Sequence, residues 1–133
     1  MTDVLLGIDQ NVDRAVTQAE TMLDLFDATD LDANLLHDFV DNPEGASVKQ
    51  VDSVKRARDI LEDAGAAVTL REGSGDPAQS ILDMAEQLDV DLICIAGRKR
   101  SPAGKALFGS VSQSVILNAE RPVLTCGSPG DEA

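Results

Sequence analysis

Between Gly97 and Ser110 the chain reads GRKRSPAGKALFGS, and in it Arg98, Lys99, Arg100 and Lys105 stand without one acidic residue. The whole chain carries 11 basic and 24 acidic side chains, a formal charge of -13, so four of the eleven basic residues sit in one segment and the rest of the chain stands at -17. Such a positive focus attracts a small oxyanion, while the acidic surroundings repel a long polyanion. Phosphate binding is the chemistry this segment suits. Gly97, Gly104 and Gly109 let the backbone approach an anion closely, and Ser110, at a predicted helix start, adds a hydroxyl to the unpaired amides of the first turn. The plainer alternative is a solvated basic loop with Gly109 and Ser110 as a turn and an N-cap.

Other chemistries find less support. The chain contains no GxxxxGK[ST] and no GxGxxG after its first strand, which excludes a P-loop and the dinucleotide fingerprint. His37, the single histidine, has no serine, cysteine or second histidine in a recognisable motif and reads as a strand-end packing residue. Asp9 closes the first apolar run, where it either faces a ligand or caps the following helix. Cys94 and Cys126 lack the close spacing of a zinc knuckle or a redox dithiol and read as buried free thiols. Ser112 and Ser114 read as solvated or capping residues of the last helix. With no nucleophile set beside a base, the sequence favours a binding protein over an enzyme, for instance one of slow ATP hydrolysis.

Val4 to Ile8 form an apolar run suited to a strand buried on both faces. After Asn11, Val12, Ala15, Val16, Ala19, Met22, Leu23 and Phe26 recur at helical spacing. Ala33 to Val40 suits a second strand. Ser47 with Gln50 has the form of a capping box, and the helix it opens runs to Gly65, a natural stop. Ala67 to Arg71 is a third strand by its position between helices. Asp76 followed by Pro77 opens the third helix. Leu92 to Ala96 is the fourth strand, a helix from about Ser110 to Asn118 follows, and Pro122 to Cys126 is the fifth strand. Five strands alternating with four helices give an α/β fold, an open parallel sheet with helices on both faces, in one domain over residues 1–133. Ligands bind such sheets at the carboxyl ends of strands where the order reverses. Asp9 and Gly97 both fall on that edge.

A strand ending in glycine, a variable stretch, then Gly109-Ser110-Val111-Ser112 and RPVLT resembles the C-terminal signature of the universal stress protein family, and the resemblance extends over essentially the whole chain. It implies a Rossmann-like, adenine-nucleotide-alpha-hydrolase-like fold with an open five-stranded parallel sheet of order 3-2-1-4-5, a stress-response role, a homodimer and, in many members, ATP binding. By position, Asp9 is similar to the family aspartate facing adenine and ribose, and Asp38 or Phe39 falls where the second strand borders the base. Gly97, Gly109, Ser110 and Val111 match phosphate and ribose contacts, with Arg98 and Arg100 beside them. The resemblance departs at Arg100, where the ATP-binding pattern has glycine, and the spacer from Ser101 to Phe108 is one residue short. A side chain there crowds a backbone that wraps phosphate, yet its guanidinium can hold phosphate bidentately, a contact worth roughly 1.5 to 3 kcal/mol. Two functions follow: a regulatory protein binding ATP or AMP, with magnesium if ATP, or a dimeric interaction module without nucleotide, pairing with its twin through the fifth strand, Pro122 to Cys126.

Composition sets the outer bounds. Hydrophobic residues make up 43% of the 133 and aromatics 2%, so the core is aliphatic. The charge and the scarcity of stacking rings speak against nucleic acid and anionic membrane as partners. Strong acidity, with arginine exceeding lysine, suits a salt-rich, halophilic cytoplasm. The start of the chain has no basic stretch leading into an apolar one and no later run approaches a membrane span, so the expected location is cytoplasmic.

Overall fold

A computed structural model of the chain describes residues 1–38, 51–97 and 110–126. The first apolar run forms β1 (Thr2–Gly7), and α1 (Val12–Leu25), a short 3-10 turn (Ala28–Asp30), β2 (Leu31–Asp38) and α2 (Asp52–Asp63) follow. The remainder is β3 (Ala67–Gly73), α3 (Pro77–Leu88), β4 (Leu92–Ala96), α4 (Ser110–Asn118) and β5 (Val123–Cys126). All described strand pairs are parallel and the sheet order is β3-β2-β1-β4-β5, the expected doubly wound arrangement.

Alternate side chains of a strand leave opposite faces, and β1 shows the consequence. Val4 and Leu6 enter one core with Ala15, Ala19 and Met22 of α1 and Val54, Ala57 and Leu61 of α2. Leu5 enters the other with Ala78, Ile81 and Ala85 of α3 and Val115 of α4. Val4, Leu5 and Leu6 are all fully buried, and at about 2 kcal/mol for each buried aliphatic side chain this strand is the main adhesive between the two layers. Gly7 completes that packing, because a Cβ there would lie 2.8 Å from Cδ1 of Ile81.

Helix ends follow local chemistry. Asn11, not Asp9, caps α1: its side chain accepts the Arg14 amide. Asp76 accepts the Ala78 amide at the start of α3, with Pro77 in the first turn as expected. At the end of α2, Gly65 has φ +106, its amide bonds to the Glu62 carbonyl and the Ala66 amide reaches back to Leu61, the paired bonds of a Schellman ending. Asp89 ends α3 in the same way at φ 51, with its amide on Glu86 and the Val90 amide on Ala85.

Several boundaries differ from the sequence reading. β2 starts at Leu31, not Ala33, because Leu31 is fully buried and pairs with Thr2; the expected continuation through Phe39 and Val40 lies outside the described residues. β3 runs on to Gly73, opposite Asp38, since backbone pairing continues where the apolar pattern has ended. β5 starts at Val123; Pro122 has no amide to donate, although its carbonyl accepts the Ile93 amide. α2 starts at Asp52 behind an extended Val51 with no side-chain cap, later than the capping-box reading places it. Ser47 and Gln50 lie outside the described residues.

Candidate functional site

The crevice at the order reversal lies between the carboxyl ends of β1 and β4. The pairing of the two strands ends at Leu6 and Cys94; Asp9 follows the end of β1 and Gly97 the end of β4 on that same edge. Where β1 leaves the sheet its last carbonyls lose regular ladder partners, and a buried carbonyl without a donor is costly. Three side chains supply donors or ring nitrogens in succession. Gln18 of α1 donates Nε2 to the Gly7 carbonyl at 2.9 Å and to the Cys94 carbonyl at 3.3 Å. His37 of β2 places Nδ1 2.7 Å from the Ile8 carbonyl. Ser53 of α2 donates its hydroxyl to the Asp9 carbonyl at 2.5 Å. Gln18, His37 and Ser53 are all buried, so three elements, α1, β2 and α2, converge on the carbonyls at the end of β1.

This clamp holds the Asp9 carbonyl, and the Asp9 carboxylate has partners of its own. Its Oδ1 accepts the Asn11 amide at 2.8 Å and its Oδ2 accepts Nη1 of Arg14 at 3.0 Å. The Asp9 side chain is still 50% exposed, which leaves acceptor capacity toward solvent or a ligand hydroxyl. Arg14 also offsets the carboxylate charge, so an anionic ligand approaching the crevice meets less repulsion.

The β4 side is built from backbone. Gly97 is buried and its amide donates to the Cys126 carbonyl at 2.6 Å, extending the β4 and β5 pairing by one residue. A Cβ on Gly97 would stand 3.2 Å from that same oxygen, so glycine is needed for the strands to stay close. Ser112 donates its hydroxyl to the Ala96 carbonyl at 3.1 Å and thereby ties the first turn of α4 to the end of β4; this is an anchor rather than the solvated or capping role read from sequence. Ser110 begins α4 and is exposed. Val111 packs against the core under α3 and α4.

Asp38, at the end of β2, accepts the Ser80 hydroxyl of α3 at 2.6 Å. Gly73 makes room for that pair, since a Cβ there would lie 3.0 Å from the Ser80 side chain. Arg98, Arg100 and Gly109 lie outside the described residues, as does Phe39. Of the candidate residues that the structure describes, Asp9 and Gly97 follow the ends of β1 and β4, Ser110 begins α4, Val111 packs on the core and Asp38 is bonded to α3.

Sequence reasoning passed over Gln18, Ser53 and Arg14. A signal existed for Gln18, a polar residue inside the apolar stripe Ala15, Ala19 and Met22; for the others only the fold brings the partner near. It also passed over the proximity of Cys94 and Cys126, both buried and free as expected, whose sulfurs lie 3.4 Å apart. Among the described residues no group of three or more His, Cys, Asp or Glu side chains could hold a metal ion, and no helix is long and apolar enough to cross a membrane.

Comparison with known proteins places this geometry. A family model described as "Universal stress protein family" matches residues 1–127. A "Universal stress protein" of Mycolicibacterium smegmatis is 37% identical over 65 residues, 48% of this chain and 50% of the relative; the match thus spans about half of that relative's length. Among solved structures, a universal stress protein from Archaeoglobus fulgidus superposes with a TM-score of 0.76 at 25% identity, covering 95% of this chain and 98% of the other. A universal stress protein in complex with cAMP gives 0.73 at 20% identity, covering 96% and 97%. A family protein from Arabidopsis thaliana with AMP bound gives 0.71 at 20% identity, covering 99% and 95%.

Proposed function

This chain belongs to the universal stress protein family, and from that premise we propose that it is a regulatory protein that binds an adenine nucleotide in the crevice between β1 and β4. The observation that carries the reading is the half-exposed carboxylate of Asp9, bonded to Asn11 and Arg14 just past the end of β1 at the order reversal. Asp9 accepts a ribose or base donor, while the first-turn amides of α4 and the Ser110 hydroxyl receive phosphate. Gly97 admits the ligand by its lack of a side chain rather than by its amide, which is already bonded to Cys126. Arg98, Arg100 and Gly109 would complete the phosphate side. The solved relatives with cAMP and AMP support the ligand class. Magnesium would enter only on the phosphates of ATP, since the described residues offer no cluster to hold it alone.

The test is equilibrium binding of AMP, cAMP and ATP to the purified chain in high salt, the last with and without magnesium. Saturable binding is expected, with affinity lowered about ten-fold or more in Asp9→Ala, the size of one lost hydrogen bond to a charged group. No saturable signal at millimolar ligand overturns the reading.

One observation favours the second reading, a dimeric interaction module without nucleotide. β5 is an edge strand, and α4, which leads into it, exposes Ile116 at 40% and Leu117 at 73%. An unpaired edge invites pairing with a twin strand. Light scattering across a salt series checks the dimer, and ligand binding separates the two readings.

A further inference from the structure

Cys94 lies on the interior strand β4 and Cys126 ends the edge strand β5. Cys94 pairs with Leu124 and Ala96 with Cys126, so the two cysteines are diagonal neighbours on one face of the sheet. Their sulfurs are 3.4 Å apart in the core shared with α1 and α2. The Cys126 backbone carbonyl is the acceptor that holds the Gly97 amide at 2.6 Å, so this thiol sits on the residue that fastens the exit of β4. The nucleotide reading does not use either thiol.

We propose that Cys94 and Cys126 are a dithiol that a hydroperoxide oxidises to an intramolecular disulfide, and that closing the bond displaces the Cys126 carbonyl from the Gly97 amide. The two thiols differ in character. The two thiols share one hydrogen bond, in which either sulfur can donate, and it holds Cys126 below the ordinary thiol range against burial while Cys94 is pushed well above it. Cys126 ends the edge strand and is 4% exposed, whereas Cys94 is fully buried on an interior strand, so Cys126 is the sulfur a peroxide reaches first and Cys94 the resolving group. In the first step the Cys126 sulfur bonds to the distal peroxide oxygen, the O–O bond breaks, and the other oxygen leaves as water or an alcohol after taking a proton. In the second, the Cys94 sulfur bonds to the sulfenic sulfur of Cys126, the S–O bond breaks, and hydroxide leaves as water with the Cys94 proton. Two thiols lose two electrons and two protons, and the peroxide is reduced.

Geometry gives the reaction its consequence. Diagonal neighbours in a sheet lie on the order of 7 to 8 Å apart at the backbone, and a disulfide needs its Cα atoms within about 7 Å. The backbone has to close that gap. β4 is paired with β1 on one side and β5 on the other, whereas β5 is paired on one side only among the described strands. Movement falls on Cys126 and carries its carbonyl with it.

The experiment treats the purified full chain with hydrogen peroxide, then counts free thiols and measures intact mass under denaturing conditions. Both thiols are expected to disappear together, with the loss of two hydrogens from a single chain, and to return with dithiothreitol. Gly97 amide hydrogen exchange is expected to accelerate about ten-fold or more in the oxidised form. In Cys94→Ala, a sulfenic acid on Cys126 is expected to be trapped by a cyclic diketone. The thiol count needs no variant and so stands even if Cys94→Ala fails to fold. Stepwise gain of oxygen on one cysteine, chains linked to each other, or thiols untouched where free cysteine is oxidised overturns the dithiol. An unchanged Gly97 exchange rate in the oxidised chain overturns the displacement.

Discussion

The two edges of the sheet are held by opposite electrostatics. At the carboxyl edge, the carbonyls of Gly7, Ile8 and Asp9 meet Gln18, His37 and Ser53, and the Asp9 carboxylate has an arginine and an amide on it. At the amino edge, carboxylates crowd one another. Asp3 and Asp32 face each other in register on β1 and β2, and the Asp3 amide donates to Asp91 at 2.9 Å. The Asp3 carboxyl is raised above its ordinary value of 3.8, first by desolvation and then by the neighbouring Asp32, with Asp91 adding to the effect. One edge is organised at neutral pH; the other carries a charge repulsion that salt screens. A strongly acidic protein tolerates such repulsion where nothing must be positioned, and relieves it where something must.

The comparison is broken most severely at Gln18. Gln18→Ala removes a fully buried side chain and leaves the Gly7 and Cys94 carbonyls without their donor, a loss of about 3 kcal/mol in urea unfolding. Gln18→Leu keeps the volume; if it is as stable as the parent, the side-chain donors do not organise this edge. Gly97→Ala is the next test. Its Cβ meets the Cys126 carbonyl at 3.2 Å, so the end of β5 has to give, at a cost of about 1 kcal/mol, read as a lower thermal midpoint. An unchanged midpoint would mean that this strand end yields freely.

The smallest effect sharpens the amino edge. Because the folded-state value of Asp3 is raised, its contribution is fully present below the unfolded value and is lost as pH rises through the folded one. Asp3→Asn is therefore expected to match the parent below the ordinary carboxyl range and to become the more stable of the two toward neutral pH. The gain shrinks as salt is added. Thermal unfolding at several pH and salt values checks the sign, and a variant less stable than the parent at neutral pH would contradict the repulsion.

The periodic segments were legible because burial repeats with the local geometry: Val4 to Leu6, the stripe of α1 and the Asp76-Pro77 start of α3 carry their structure in their own residues. The parallel, doubly covered sheet also followed from the alternation of elements, through right-handed crossovers, and the family, with the strand order it implies, from the segment around Gly109-Ser110. What failed was what depends on a distant partner. The last residues of β3 are set by pairing with β2 and not by their own pattern, the role of Ser112 by the end of β4, and the approach of Cys94 to Cys126 by two strands whose diagonal relation no spacing reveals.

By itself the sequence determined which stretches are strands and helices, how they alternate, and that Asp9 and Gly97 share an edge, since hydrophobic period and helix-stop chemistry act over a few residues. Only the tertiary structure decided that Gln18, His37 and Ser53 converge on three successive carbonyls, that the Gly97 amide is already engaged, and that two remote thiols touch. Those facts depend on the satisfaction of buried polar groups across elements, a condition set by three-dimensional neighbours that a linear pattern does not encode.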